Sequence, residues 1–589
     1  MSFYDAIRVG ASGAGDYEVE RSLRFNDNDT AYLSRNFQSG GNRKKWTFSA
    51  WIKRSNLGGA AGEMRIFGGS TNASHIFITS SDSLTWDVAA PGSSASANLT
   101  TTQKFRDVSA WFHLVCAFDT DNSTANNRMR IYINGTEVTS FGTRTNPSSG
   151  YALNAINADA FADGDRSLHT IGYRTSVQGS AGMEFDGYMA EINFIDGQQY
   201  DPSYFGETDA ITGQWNPKKY AGGYGTTGFY LPLSDNSGTS ATTLGKDSSG
   251  NGNNWTPNNF SVSAGLGNDS VIDTPTNNFP TLNPNHAFLN GSSSTAENGN
   301  LRWNGVNNNQ AGCPATMAFP TTGKWYWEVK LITNNANFSF GITPATYSNT
   351  TNPGNPTGAI GYAAYGSKIV SGSETASWAA SFDNTDNVGA ALDMDNNEIK
   401  FYKNNSLVGT ISLVSGYENV EYLAWIKGDT ASTTISSAIN FGGNGFVYTP
   451  PTGFKALNSA NLPDPTIAFP NKHFGILTYS GNSSTQVITD TNEVDFTPDW
   501  VWVKRRNGDN SHVLFDSVRG VHKYLVSSQD GAEGNNAIYL TAFNNGGFTS
   551  GNNGDMNVTG RTYVAWNWNA GNTDSATYRV VVVSDSGNK

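Results

Sequence analysis

Cysteine is nearly missing from this chain: there are two, Cys116 and Cys313, among 589 residues. Two thiols so far apart make no disulfide framework, so a reducing folding compartment is expected. Charge is also scarce. Asp, Glu, Lys and Arg supply 15% of the residues, against about 25% in an ordinary globular domain. The balance is acidic, 37 basic against 50 acidic side chains, for a net −13. A phosphate-backbone partner needs clustered Lys and Arg, so nucleic acid is excluded as a partner. The densest basic runs, Arg43-Lys44-Lys45 and Lys504-Arg505-Arg506, read as solvated positions beside strands. No window approaches the ~20 apolar residues of a membrane-spanning helix. The opening residues, Met1-Ser2-Phe3-Tyr4-Asp5, lack the basic-then-apolar pattern of an export signal. Helical periodicity is almost absent.

What is present is glycine, 64 of them, with abundant Asn, Ser and Thr. A surface of amides and hydroxyls makes hydrated contacts without a large desolvation cost, which suits carbohydrate and an extracellular setting. Short alternating runs recur between turn-forming clusters, as in sandwiches or barrels. Trp46-Thr47-Phe48-Ser49-Ala50-Trp51-Ile52 is one, and Arg128-Met129-Arg130-Ile131-Tyr132-Ile133 another. The second is closed by Asn134-Gly135, a pair suited to a tight hairpin turn. The fold class predicted is all-β, a tandem of antiparallel β-sandwiches of jelly-roll type. Composition divides the chain into residues 1–20, 21–205, a turn-rich connector at 206–290, 291–455, and 466–589. The connector is expected to be ordered and to hug its neighbours, because Phe229, Tyr230, Leu231 and Trp255 would bury. The apolar run Tyr578–Val583 close to the end leads us to expect that the natural chain extends beyond Lys589.

Three resemblances follow from ordered motifs. Ser22-Leu23-Arg24-Phe25, the Trp46–Ile52 run, Trp111–Asp119, Arg130–Gly135, Ile171-Gly172-Tyr173 and Phe185–Ile192 together resemble the laminin-G-like, concanavalin-A-like lectin/glucanase superfamily over about residues 20–205. That implies a two-sheet jelly roll. Lys324–Val329, Phe338–Ile342, Ile360–Tyr362, Asp386–Asp395, Ile399–Asn405 and Ile439–Gly442 resemble the SPRY domain over about 295–450. That family binds partners through loops at one end of the sandwich and has no catalytic residues. Here 344–358 and 366–380 are the candidate loops. Pro498–Arg506, His512–Gly520, Lys523–Leu525 and Tyr563–Trp568 resemble a module found in tail-associated proteins of marine phages.

Catalytic and metal patterns were weighed against this. Retaining glucanases carry Glu-x-Asp-x-Glu on one strand, and the period of two puts the carboxylates on one face. Glu184 and Asp186 match the first two positions. Tyr188 and Met189 stand where the acid belongs, and Glu191 is expected on the opposite face. Asp186-Gly187 is expected to form a turn or bulge. Calcium could draw on Asp119, Asp121, Asn122, Asp163 and Asp165, though their spacing departs from the calcium-loop pattern. His512, Asp516 and Ser517 lie too close in sequence for a triad assembled from separate segments. His512 and His522 lack further metal ligands.

The reading is therefore a phage tail fibre or related virion appendage that is not an enzyme. No catalytic, cofactor or metal residue is assigned, and the receptor-binding residues are left open. Expected partners are other tail or nozzle proteins through residues 1–20, and a host-surface glycan or protein. Neither nucleic acid nor membrane insertion is expected. Such fibres are commonly homotrimers, which the resemblance alone implies. The expected location is the virion tail, assembled in the host cytoplasm. The alternatives are a head decoration fibre and a polysaccharide depolymerase.

Overall fold

The computed structural model describes residues 17–37, 40–57, 63–69, 74–89, 95–152, 168–174, 183–209, 213–289, 294–305, 311–333, 337–428, 435–463 and 470–570. Most of the 1–20 segment, Asp163, Asp165 and Tyr578–Val583 lie outside them. The chain is all-β, with several antiparallel sheets. It divides into two compact units. One holds residues up to 208 and 214–464, and the other 209–213 and 465–589.

The first unit contains two sandwiches. In the first, one sheet centres on Lys45–Arg54, flanked by Phe112–Asp119 and Gly187–Asp196. The other runs through Ala95–Lys104, Ser83–Ala89, Ser74–Thr79, Glu63–Gly69, Leu168–Ile171 and Tyr32–Asn36. Alternation along Lys45–Arg54 sends Trp46, Phe48, Ala50 and Ile52 into the core between the sheets. Trp46 stacks on Phe118 and Phe194 there. The Asn134-Gly135 turn forms as predicted, with φ of 48° and 79° and Ile133 paired to Thr136.

The expected connector at 206–290 is a correction. Phe229–Leu231 pairs with Gly187–Asp196, Thr256–Asn258 with Tyr32–Asn36, and Ser270–Val271 with Ser22–Phe25. These strands complete the first sandwich, and the chain that follows them runs on to the second, where Phe279 and Leu282 join its core. Phe229, Leu231 and Trp255 are fully buried in the core of the first.

In the second sandwich, one sheet runs from Thr295–Glu297 through Arg302–Gly305, Ile435–Asn440, Lys324–Leu331, Val388–Asp393 and Glu398–Lys403 to Ser406–Ser412. The other comprises Gly312–Phe319, Tyr422–Gly428, Phe338–Pro344, Ile360–Ala363, Lys368–Val370 and Ser373–Thr375. Trp325, Trp327 and Val329 share the core face, as alternation predicts. The free cysteines are separately buried, Cys116 in the first core and Cys313 in the second.

Residues 266–282 fasten the two sandwiches together. Lys53 Nζ, fully buried, donates to Asp273 Oδ2, Asn278 Oδ1 and the Phe279 carbonyl at 2.7–2.8 Å. Asp273 Oδ1 also accepts from Trp111 Nε1 and the Phe279 N–H. Tyr188 donates to the Gly299 carbonyl and Asn300 to the Ser55 carbonyl. Buried, hydrogen-bonded pairs of this kind fix one relative arrangement.

The second unit is a smaller sandwich. Its larger sheet has the order Phe474–Ser480, Thr562–Trp568, Trp500–Arg505, Val513–Asp516, Lys523–Val526, Gly534–Asn535. Its smaller sheet has Gln486–Thr489, Gly547–Ser550 and Leu540–Asn544. Val501, Val503, Val513, Phe515, Tyr563 and Ala565 make the core between them.

Candidate binding site on the loops of the second sandwich

Asp186 and Glu191 do not assemble a glycosidase pair with each other. Gly187 opens its strand at φ 147°, where a Cβ would fall 2.2 Å from the Lys53 carbonyl. The irregularity is further along, between Ala190 and Asn193, with Glu191 at φ 53°. This bulge corrects two expectations. The strand does not turn at Asp186-Gly187, and Glu191 falls on the face of Tyr188 and Asn193 rather than the opposite one. Asp186 and Glu191 are still five residues apart on an extended strand, about 15 Å. Retaining and inverting pairs need about 5 Å and about 6.5–9.5 Å. Both are covered, at 2% and 6% exposure. Burial pushes the Asp186 carboxyl well above the usual range, and its Oδ1 makes no hydrogen bond. Glu184 is half-buried.

Glu191 is held by two phenols. Tyr17 donates to Oε2 at 2.6 Å, Tyr230 approaches both oxygens at 2.9 and 3.0 Å, and the phenols lie 2.8 Å apart. Burial is the main cause that lifts this carboxyl to about 7, against the lowering effect of the phenol hydrogen bonds. A raised carboxyl is protonated in the folded chain while the unfolded one ionises. Stability is therefore lost as pH rises from about 4.5 to about 7, by on the order of 3 kcal/mol. Glu191→Gln is expected to flatten that slope in melting temperature against pH.

A serine–histidine contact escaped the sequence reading. Ser49 Oγ lies 2.8 Å from His113 Nε2, and Trp215 Nε1 donates to His113 Nδ1 at 3.0 Å. An indole N–H only donates, so Nδ1 is the acceptor and Nε2 carries the proton. The imidazole thus donates to Ser49 and is not placed to take its proton. Complete burial lowers its pKa to about 3. The signal available was weak: Ser49 and His113 are diagonal neighbours, Ser49 facing Val115 and His113 facing Trp51, on strands adjacent in space and distant in sequence.

The remaining candidates are engaged elsewhere. Asp119 pairs with Lys45 at 2.8 Å and caps the Asp121 N–H, Asp121 faces Lys44, and Asn122 caps the Thr124 N–H. These are turn and ion-pair contacts. Among the described residues no three His, Cys, Asp or Glu side chains converge as metal ligands. In the second unit His512 Nδ1 accepts from Trp502, Ser517 donates to Asp499, and Asp516 pairs with Arg519. The three residues considered as a triad share no hydrogen bond.

The two candidate loops of the second sandwich differ. Loop 344–358 is tied down: Tyr347 and Asn352 are buried, and the Tyr347 hydroxyl donates to the Thr351 carbonyl. Pro353 packs on Gly312 and Gly354 under Trp425. Loop 366–380 is a hairpin turning at Ser371-Gly372, and its second strand, Ser373–Thr375, is exposed. Next to it Tyr365 stands 43% exposed and donates to Glu374 Oε1 at 2.7 Å. Trp378 is half-buried, with its backbone N–H donating to the Gly366 carbonyl. Its ring lies over Gly409 and edge-on to Phe401. A Cβ at Gly409 would come within 2.3 Å of the indole, so the strand surface is kept bare where the ring rests. Two aromatic rings and a carboxylate on a loop, carried by a sheet, have the composition of a recognition site.

Comparison with known proteins agrees with this division. Residues 26–198 match the concanavalin A-like lectin/glucanases superfamily, 324–418 the SPRY domain, and 469–587 a domain of unknown function (DUF7483). No curated protein sequence matches the chain. Among solved structures, the SPRY domain of human HERC1 is similar at 18% identity, over 27% of this chain and 96% of that one, with a TM-score of 0.23. A candidate carbohydrate-binding protein from Bacteroides ovatus is 17% identical over 41% and 59% of the two chains, with a TM-score of 0.28. A pentraxin from Limulus polyphemus is 14% identical over 31% and 79%, with a TM-score of 0.23. The family models thus place a lectin-like sandwich and a SPRY-like sandwich in the chain.

Proposed function

We propose that this chain is an appendage of a virus particle, a fibre of the tail or head, that attaches to a host-surface glycan or protein and catalyses nothing. The observation that carries the binding part is the cluster of Tyr365, Glu374 and Trp378 on an exposed hairpin of a rigid sandwich. The locked junction at Lys53 supports it, because a contact at a distal loop pulls on the particle only through a stiff body. The neutral polar composition suits a glycan-facing surface. The non-catalytic part is supported by the blocked tautomer at His113 and the separated carboxylates.

The experiment is to label purified particles with antibodies against the 366–380 hairpin and image them by electron microscopy. Label on the particle exterior, at tail or head, is the expected result. Particles that carry no label while free protein does would remove the virion reading. Release of oligosaccharides from envelope glycans, lost in Glu191→Gln, would replace attachment with depolymerisation.

A further inference from the structure

The junction at Lys53 brings an amine, a carboxylate and a carboxamide together out of reach of water. Lys53, Asp273 and Asn278 are buried, and so are Trp111, Tyr188 and Phe279 beside them. The Tyr188 ring centroid lies 5.6 Å from Lys53 Nζ. Nζ stands 2.8 Å from Asp273 Oδ2 and 2.7 Å from Asn278 Oδ1. The Asn278 carboxamide carbon is one C=O bond, about 1.23 Å, beyond that oxygen. The amine nitrogen is therefore within about 4 Å of the carbon, close to the roughly 3–3.5 Å of a near-attack pair.

Each participant is held in place. An ammonium only donates, so the oxygen of the Asn278 carboxamide faces Lys53. Its Nδ2 donates to the Ser109 carbonyl at 2.8 Å. The Asn278 backbone N–H donates to Ser459 Oγ, and its carbonyl accepts from the Ser459 N–H. Trp111 Nε1 and the Phe279 N–H hold Asp273 Oδ1, which leaves Oδ2 to Lys53. Such fixing of reactants removes much of the entropic part of a barrier.

We infer that Lys53 and Asn278 join in an isopeptide bond, with Asp273 as the proton acceptor. One proton passes from the Lys53 ammonium to Asp273 Oδ2. The freed lone pair on Nζ forms a bond to Asn278 Cγ. A second proton moves from Nζ to Nδ2, the Cγ–Nδ2 bond breaks, and ammonia leaves. The products are a secondary amide, a neutral Asp273 carboxyl and one ammonia, so atoms and charge balance with no further reactant. The step occurs once per chain, without turnover. It replaces two buried charges with neutral groups, which removes their desolvation cost. Exclusion of water keeps hydrolysis from competing. The ion pair described above is the state before the bond forms. The link joins positions 225 residues apart. It ties Lys45–Arg54 covalently to the segment that fastens the two sandwiches.

The test is intact mass spectrometry of the full chain, denatured after incubation in neutral buffer, with peptide mapping of the digest. The parent is expected below its sequence mass by one ammonia, about 17 Da, with a branched peptide that joins the segments holding Lys53 and Asn278. Asp273→Asn keeps the side-chain shape and takes up no proton, and Lys53→Arg keeps the charge without the amine. Both are expected at their full sequence masses, with folding checked by circular dichroism. The parent result decides even where a variant fails to fold. A parent at its sequence mass with no branched peptide overturns the inference. So does ammonia lost without a branched peptide, which marks a succinimide at another asparagine. Loss of water in place of ammonia, which puts the bond on Asp273, overturns it too, as does a link formed as fully in Asp273→Asn as in the parent.

Discussion

Lys53→Ala is expected to lower the stability of the first unit by about 3–5 kcal/mol, the effect of leaving one charge of a buried pair alone. Lys53 is fully buried and Asp273 is 5% exposed as a side chain. Removing the ammonium also strips a donor from Asn278 and from the Phe279 carbonyl. Asp273 cannot swing out to water, because Trp111 and the Phe279 N–H still hold it. The variant is expected to unfold in two steps where the parent unfolds in one, since the lost pair couples the two sandwiches. Scanning calorimetry reads both quantities. Lys53→Met with Asp273→Leu is expected to recover part of the loss, because no lone charge remains. Recovery stays incomplete because Trp111 Nε1 and the Phe279 N–H then lack their acceptor.

Trp378→Ala is expected to weaken ligand binding by at least about 2 kcal/mol, near thirtyfold, as for an aromatic anchor at the centre of a contact. Two companions separate loss of contact from loss of shape. Tyr365→Ala removes an exposed ring and leaves the core intact, and it is expected to weaken binding too. Gly409→Ala keeps the indole and drives a Cβ against it at 2.3 Å. It is expected to weaken binding by displacing the ring. Surface plasmon resonance on the captured ligand distinguishes the three.

The architecture was legible where a strand has one face in a core. Trp325, Trp327 and Val329 announced such a strand, and Asn134-Gly135 its hairpin. It was less legible where a strand is covered on both sides. Thr47, Ser49, Trp51 and Lys53 occupy the face that alternation gives to solvent, yet all four are buried under chain from beyond residue 198. That chain read as a connector because its strands are two or three residues long, too short to show a period of two. The bulge at Glu191 was invisible because nothing in the sequence marks a Glu for positive φ. Alternation puts Trp500 and Trp502 of the second unit on one strand face, but size does not tell which face is the core. The smaller Val501 and Val503 face the core. The hairpin 366–380, here proposed to bind, is one of the two loops that the sequence offers as candidates. The anchoring of 344–358 by Tyr347 and Asn352 depends on contacts distant in sequence.

We propose that a stiff, non-catalytic body recognises its target through one hairpin. The direct measurement is binding of the full chain to an array of envelope glycans and surface proteins, followed by mass analysis of the bound glycans. The prediction is retention on a restricted set, lost in Trp378→Ala, with every glycan recovered at its original mass. Retention that survives Trp378→Ala and Tyr365→Ala together, or glycans recovered shortened, would contradict it.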